Sequence, residues 1–241
     1  MPTVISRRCL GRLAVMAALV VLATTSLSGC ARTNGLEHKS AAEIQRAAAA
    51  AVKAAGSVHV TQVSGPHNQP AHMQPARVDL RVQGDSTTGT FDQQGRQGLR
   101  FQLTTIGQDT YLNGDQQALE SLGLRQVQHV GDRWVKVRPD QLESFPSFSL
   151  DRLVDLIATS DDVAPTVGRA KLDDRAVVVL SVLSQADGDG YAKAYIANTG
   201  PAYLLRIEGL LTGEDRMDFT EYGADFHITA PQDAVDLSRT S

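Results

Sequence analysis

The sequence predicts an α+β fold in which one large, curved antiparallel sheet packs on two main helices. Three observations carry this expectation. An alanine-rich stretch from Ser40 to Gly56 places apolar residues at helical spacing. From Ser57 onward the pattern switches to period two and holds for most of the chain. A second helical pattern, opening at Ser149, interrupts it once.

The first helix starts at Ser40, with Glu43 three residues on, the spacing of a capping box. Ile44, Ala47, Ala48, Ala51, Val52 and Ala55 form its apolar side, and Gly56 supplies the stop. A first strand follows between Val58 and Ser64, then a proline-rich loop from Gly65 to Pro75. Val78, Leu80 and Val82 alternate with Arg77, Asp79, Arg81 and Gln83. Gly84-Asp85 turns the chain into a strand from Thr87 to Asp92. Leu99, Phe101 and Leu103 alternate with Arg100 and Gln102, and Gly107-Gln108-Asp109 leads into Thr110-Tyr111-Leu112. Alternation with short turns is the pattern of an antiparallel meander with one buried and one wet face.

Residues Gln116 to Leu124 read as a short helix, and Trp134, Val135 and Val137 as a short strand closed by Pro139. Ser149 caps the second main helix, in which Leu150, Leu153, Val154 and Ile157 share one side. The second half returns to strands: Val163–Lys171, Ala176–Leu183, Tyr191–Ala197, Ala202–Glu208, Arg216–Tyr222 and Asp225–Thr229, the last closed by Pro231. The unbroken apolar run Ala176–Leu183 reads as a central strand, and Gln185 to Gly190 as a turn. About ten strands result.

The N-terminus reads as an address. Arg7, Arg8 and Arg12 precede an apolar run from Leu13 to Leu27. That run falls short of the ~20 residues of a membrane span and matches a signal-peptide core. It ends in Leu27-Ser28-Gly29-Cys30, the pattern of a bacterial lipobox. Cleavage between Gly29 and Cys30, with diacylglycerol on the Cys30 sulfur and an acyl chain on its amine, would anchor the chain on the extracytoplasmic face of the cell membrane. Ser6-Arg7-Arg8-Cys9-Leu10 resembles a twin-arginine export signal, so both general secretion and the twin-arginine route stay open. The expected organisation is a signal peptide over residues 1–29, a lipidated tether over 30–39, one domain over 40–236 and a tail over 237–241.

Removing the signal takes away three arginines and no acid. It leaves 20 Lys and Arg against 27 Asp and Glu, a net charge of −7 on roughly 210 residues. No long basic run exists, which argues against nucleic acid and polybasic membrane binding. The two cysteines are Cys9 and Cys30. One leaves with the signal and the other is consumed by lipid, so the domain lacks a disulfide and a thiol nucleophile.

No nucleophile elbow, zinc-protease motif or phosphate-binding glycine loop is present. His59, His67 and His72 lack matching carboxylates or thiols and read as a strand-end residue and two loop residues. Asp187-Gly188-Asp189-Gly190 lacks the distal glutamate of a calcium loop and reads as a hairpin turn. Asp161-Asp162 and Asp173-Asp174 read as solvated turns. Trp134 beside Lys136 reads as a core anchor before a carbohydrate platform. No catalytic residue, metal site or cofactor is expected.

The order of features resembles the LppX/LprG-type lipoproteins of mycobacteria and their relatives, whose fold is similar to that of the carrier LolA. The residues behind the resemblance are Ala54-Ala55-Gly56-Ser57-Val58-His59-Val60, Asp109-Thr110-Tyr111-Leu112, Arg133-Trp134-Val135-Lys136-Val137, Tyr195-Ile196-Ala197 with Gly200-Pro201, and Phe219-Thr220-Glu221-Tyr222-Gly223 before Ile228-Thr229-Ala230-Pro231. The resemblance implies a half-barrel whose sheet curls round helices. It implies an apolar cavity for acyl chains of lipids or glycolipids, and no enzymatic activity. Val78, Leu80, Val82, Phe101, Leu103, Val177 and Val179 are expected on one side of the sheet, where they either line that cavity or fill a plain core. A protein-interaction or assembly lipoprotein of the same fold, partnered by another envelope protein, is the alternative reading.

Overall fold

A computed structural model describes residues 33–63, 76–93, 99–124, 131–138, 149–158, 166–183, 191–209 and 215–238. The expected signal peptide with Gly29 and Cys30, the segment holding His67 and His72, Pro139, Asp161-Asp162 and the expected turn at 185–190 lie outside these residues.

Helix α1 (Ala41–Ala55) forms as its ends dictate. The Ser40 hydroxyl accepts from the Glu43 amide, and the Glu43 carboxylate accepts from the Ser40 amide at 2.9 Å. Gly56 ends the helix at φ 73°, a left-handed conformation that glycine adopts without Cβ strain. Ile44, Ala48 and Val52, spaced four apart, are fully buried. Burial of the isoleucine and valine contributes roughly 2 kcal/mol each.

Directly after Gly56 the chain enters β1 (Ser57–Val63), β2 (Ala76–Gln83), β3 (Ser86–Gln93), β4 (Leu99–Ile106) and β5 (Asp109–Gly114). Helix α2 (Gln116–Ser121), strand β6 (Val135–Val137) and helix α3 (Leu150–Ala158) follow. The second half supplies β7 (Thr166–Leu172), β8 (Arg175–Leu183), β9 (Tyr191–Ala197), β10 (Leu204–Glu208), β11 (Arg216–Thr220) and β12 (Val235–Asp236). All belong to one sheet in the order β12-β6-β5-β4-β3-β2-β1-β11-β10-β9-β8-β7. Every pairing is antiparallel except β12 on β6, and the two ends of the sheet do not meet. The first and last strands of the two meanders, β1 and β11, join the halves through His59↔Thr220 to Val63↔Arg216.

Curvature has a visible local cause. Gly89 pairs with Leu80, and a Cβ at this position would overlap the Asp79 carbonyl oxygen. Gly114 pairs with Phe101, and its Cβ would sit 2.9 Å from the Arg100 oxygen. Gly89 is interior to β3, where a glycine at close backbone approach marks a bend, and Gly114 ends β5 at a second such approach. The result is an open half-barrel.

Four expectations change. The Asp225–Thr229 segment is not a strand. Both neighbours of β11 are already taken, by β1 and β10, so the segment crosses the sheet end instead. There the Phe226 amide donates to Gln83 Oε1 and the Ser57 hydroxyl to the Ala224 carbonyl. The chain then reaches β12, a strand of two residues too short to show period two. Strand β8 is second from the sheet edge, not central. Its apolar run reflects burial on both faces, with Val177 at 1% and Val178 at 0% exposure. The domain also begins before Ser40. A short 3-10 turn, Leu36–His38, puts Leu36 into the core, and Asn34 binds the Ala197 and Gly200 carbonyls. At the other end Leu237 packs on the sheet and its amide donates to the Lys136 carbonyl, so the domain runs past residue 236.

Gly89→Val should cost about 2 kcal/mol, because the bend leaves no room for Cβ; the urea midpoint of the variant measures it. Acid should destabilise the N-terminal region in a defined window. Hydrogen bonds from Thr33 and the Glu37 backbone lower the Glu37 carboxyl to about 2. Those from the Ser40 backbone and side chain lower Glu43 to about 2. Both folded values lie below the usual 4.5. Their stabilisation is therefore complete above that value and is lost as pH falls toward 2. The double variant Glu37→Gln, Glu43→Gln should flatten the loss of stability seen between these limits in a urea titration at stepped pH.

Candidate ligand-binding face

Strand alternation divides the sheet into two chemically different faces. The helix-bearing face carries two apolar clusters. In the first, Ile44, Ala48 and Val52 of α1 and Leu150 and Ile157 of α3 lie against strands on both sides of β1. Those strands contribute Val58, Val60, Val78, Leu80, Val82, Val178, Leu180, Ile196, Leu204, Ile207 and Phe219. In the second, Ala118 and Leu119 of α2 cover Phe101, Leu103, Leu112, Val135 and Val137. Phe91 packs against both clusters and stacks on Phe101 with ring centroids 5.0 Å apart. Tyr222 is half-buried against the first cluster. Burial lifts the Tyr222 phenol far above its ordinary value, and its hydroxyl donates to the Leu204 carbonyl at 2.6 Å. The two clusters make this face an apolar surface.

Five of the seven residues singled out from the sequence meet on this face. Val78, Leu80 and Val82 are 2–4% exposed in the first cluster, and Phe101 and Leu103 are 3% exposed in the second. Val177 and Val179 do not join them. Val178 and Leu180 occupy the helix side of β8, opposite Ile196 and Ala194, so the odd-numbered valines point the other way. A continuous apolar run carries no alternation, and its parity is unreadable before its register with β9 is known. Ile196, Leu204, Ile207 and Phe219 were missed for a related reason. A bulge between Leu204 and Arg206 shifts the alternation within β10, and the parity of β9 and β11 follows only from their pairing with β8 and β1.

The opposite face is polar. Its centre is Arg206, whose side chain is only 10% exposed. Its Nε donates to Asp218 at 2.7 Å, with Glu208 at 3.5 Å and Asp173 at 3.7 Å. Burial opposes the charge, but the Asp218 bond and the three carboxylates outweigh it and raise the guanidinium pKa. Burial and the Glu208 carboxylate push the Tyr195 phenol to about 12. A depression of about 470 Å³ opens beside Arg206, bounded by Thr61, Thr220 and the β7–β8 turn. That turn carries Asp173 and Asp174 at φ 47° and 63°, and both are solvent-exposed, as the sequence led one to expect.

His59 lies on this face too, with Nε2 2.8 Å from Asp79 and Nδ1 3.6 Å from Glu221. Among the described residues no three His, Cys, Asp or Glu side chains gather as a metal site. Trp134 is half-buried, and its carbonyl accepts from the Val235 amide. Lys136 beside it pairs with Asp109 at 2.8 Å.

Arg206→Ala removes the cation that Asp218 and Glu208 share, and leaves Asp218 with Arg216 and Glu208 with the Tyr195 hydroxyl. Both carboxylates keep some water, so the loss should be about 2 kcal/mol, below that of a fully buried pair. Chemical denaturation at neutral pH checks it.

No protein-family model matches the sequence. No curated protein matches it either. Among solved structures the chain is similar to LprF from Mycobacterium bovis, at 20% identity and a TM-score of 0.55, over 79% of this chain and 96% of that one. Mycobacterium tuberculosis lipoprotein LppX aligns at 14% identity and a TM-score of 0.47, over 78% and 98%. A LolA superfamily protein from Nitrosomonas europaea aligns at 12% identity and 0.29, over 80% and 98%. The resemblance read from the sequence thus holds for the fold: this chain shares the architecture of LprF, an open sheet wrapped on helices.

Proposed function

We propose that this chain is a lipid-anchored, extracytoplasmic and non-enzymatic half-barrel that holds the acyl chains of a lipid or glycolipid on its helix-bearing face. The observation that carries the reading is the continuity of that face. Two apolar clusters, bridged by Phe91, run along the inside of an open sheet. An open sheet can part from its helices without breaking a ring of strand pairs, which a closed barrel cannot do. Each acyl methylene buried there contributes about 0.8 kcal/mol, so a long chain supplies its own affinity without a charged partner. Val78, Leu80, Val82, Phe101 and Leu103 would line the ligand. Attachment rests on the lipobox: diacylglycerol on Cys30 with a further acyl chain gives stable anchoring where one chain would not.

Native mass spectrometry of the signal-free chain from Ala31, followed by lipid extraction, tests the carrier reading. A stoichiometric lipid that leaves on organic extraction is the expected result. A chain that is empty and refuses added phospholipid would sink it and favour a protein-interaction role on the same scaffold. Cys30→Ser in the exported protein should release it from the membrane fraction into the soluble one.

A further inference from the structure

We infer that the domain stands on the bilayer by one defined end, the end of the sheet carrying the β9–β10 turn, and does not swing on a tether. The inference rests on the Cys30 lipid anchor proposed above. Three observations support it.

The chain is fastened to this end as soon as it enters the domain. Thr33 bridges to Thr199 in the β9–β10 turn. The Asn34 amide donates to the Asn198 carbonyl at 2.9 Å, and the Asn34 side chain donates to the Ala197 and Gly200 carbonyls at 3.0 and 3.1 Å. Leu36, 6% exposed, locks the following turn into the core, and Arg169 of β7 donates to the Glu37 carbonyl. Second, little chain is left over. Only Ala31 and Arg32 separate Cys30 from Thr33. Those three steps reach at most about 10 Å when extended. A longer, glycine- and serine-rich linker would be needed for free rotation above the surface. Third, the β7–β8 turn lies at the same end, since the Asn198 amide donates to the Ala176 carbonyl. Its Lys171 and Arg175 balance Asp173 and Asp174. That turn is therefore balanced in charge, and contact with the surface follows from the short anchor.

The mature chain offers a clean test, because lipid occupies its one cysteine. A fluorophore on Pro201→Cys, exposed in the β9–β10 turn, reports this end. One on Lys193→Cys, also exposed, sits four residues back from Ala197 along β9, about 13 Å at the rise of a strand. The lipidated protein is placed in phosphatidylcholine vesicles, with and without phosphatidylglycerol, that carry a headgroup quencher. Strong quenching at Pro201 and weak quenching at Lys193, unchanged by salt or by the anionic lipid, is expected. Inserting a long Gly-Ser linker between Ala31 and Arg32 should erase the difference. Equal or reversed quenching in the native chain overturns the inference while leaving the anchor standing. Intact mass on the same sample separates the two failures: a Cys30 without acyl chains removes the anchor and this orientation with it.

Discussion

Everything in this molecule depends on covering one face of a very wide open sheet without a covalent staple. The described part of the domain contains no cysteine, so no disulfide ties it. Its apolar face must be paid for by helices alone. Helix α1 does so with Ile44, Ala48 and Val52, all fully buried in the cluster that includes Val58 and Val60 of β1. Helix α3 packs beside it with Leu150 and Ile157, and α2 covers the far strands with Ala118 and Leu119. A helix covers only a stripe of a sheet. Three short helices therefore leave an arrangement in two clusters, joined at Phe91.

The bend of the sheet and the division of its core are linked. Gly89 lies between Leu80 and Leu103 in the register, and no Cβ fits there. The backbone of β3 can then approach β2 closely and turn the meander, so that β4, β5 and β6 rise around α2 while β8 to β11 close on α1 and α3. Phe91, two residues along β3, fills the space on the helix side with a ring in place of the missing side chain. Its stack on Phe101 ties the second cluster to the first.

The two faces do different physical work. The helix side gathers the two apolar clusters. The other side spends its residues on ion pairs around Arg206 and on cross-strand hydrogen bonds, such as that between Thr88 and Thr104 at 2.9 Å. Wide sheets invite edge pairing, and here both edges are poor templates: β12 is two residues long, and β7 carries Arg169 and Lys171. The charged and hydrogen-bonding residues thus collect on one face while the apolar residues of the other stay under the helices.

Much of this was legible in the residues. The capping box at Ser40 and Glu43, the stop at Gly56, and the strict alternation around Val78-Leu80-Val82 and Phe101-Leu103 determine local structure and which side is buried, because they depend on neighbours three or four positions away. Three things were decided only by the tertiary structure. Val177 and Val179 look equivalent to Val178 and Leu180 until the pairing with Ile196 and Ala194 sets the parity of β8. Asp225–Thr229 alternates like a strand, yet β11 has no free edge to receive it. Asn34 and Leu36 read as tether until the sheet end at Asn198 and a gap in the core give them partners. In each case the sequence states what a segment could do. Which of these it does is settled by hydrogen-bonding groups and space supplied from more than a hundred residues away, or from a neighbouring strand whose register the chain alone does not reveal.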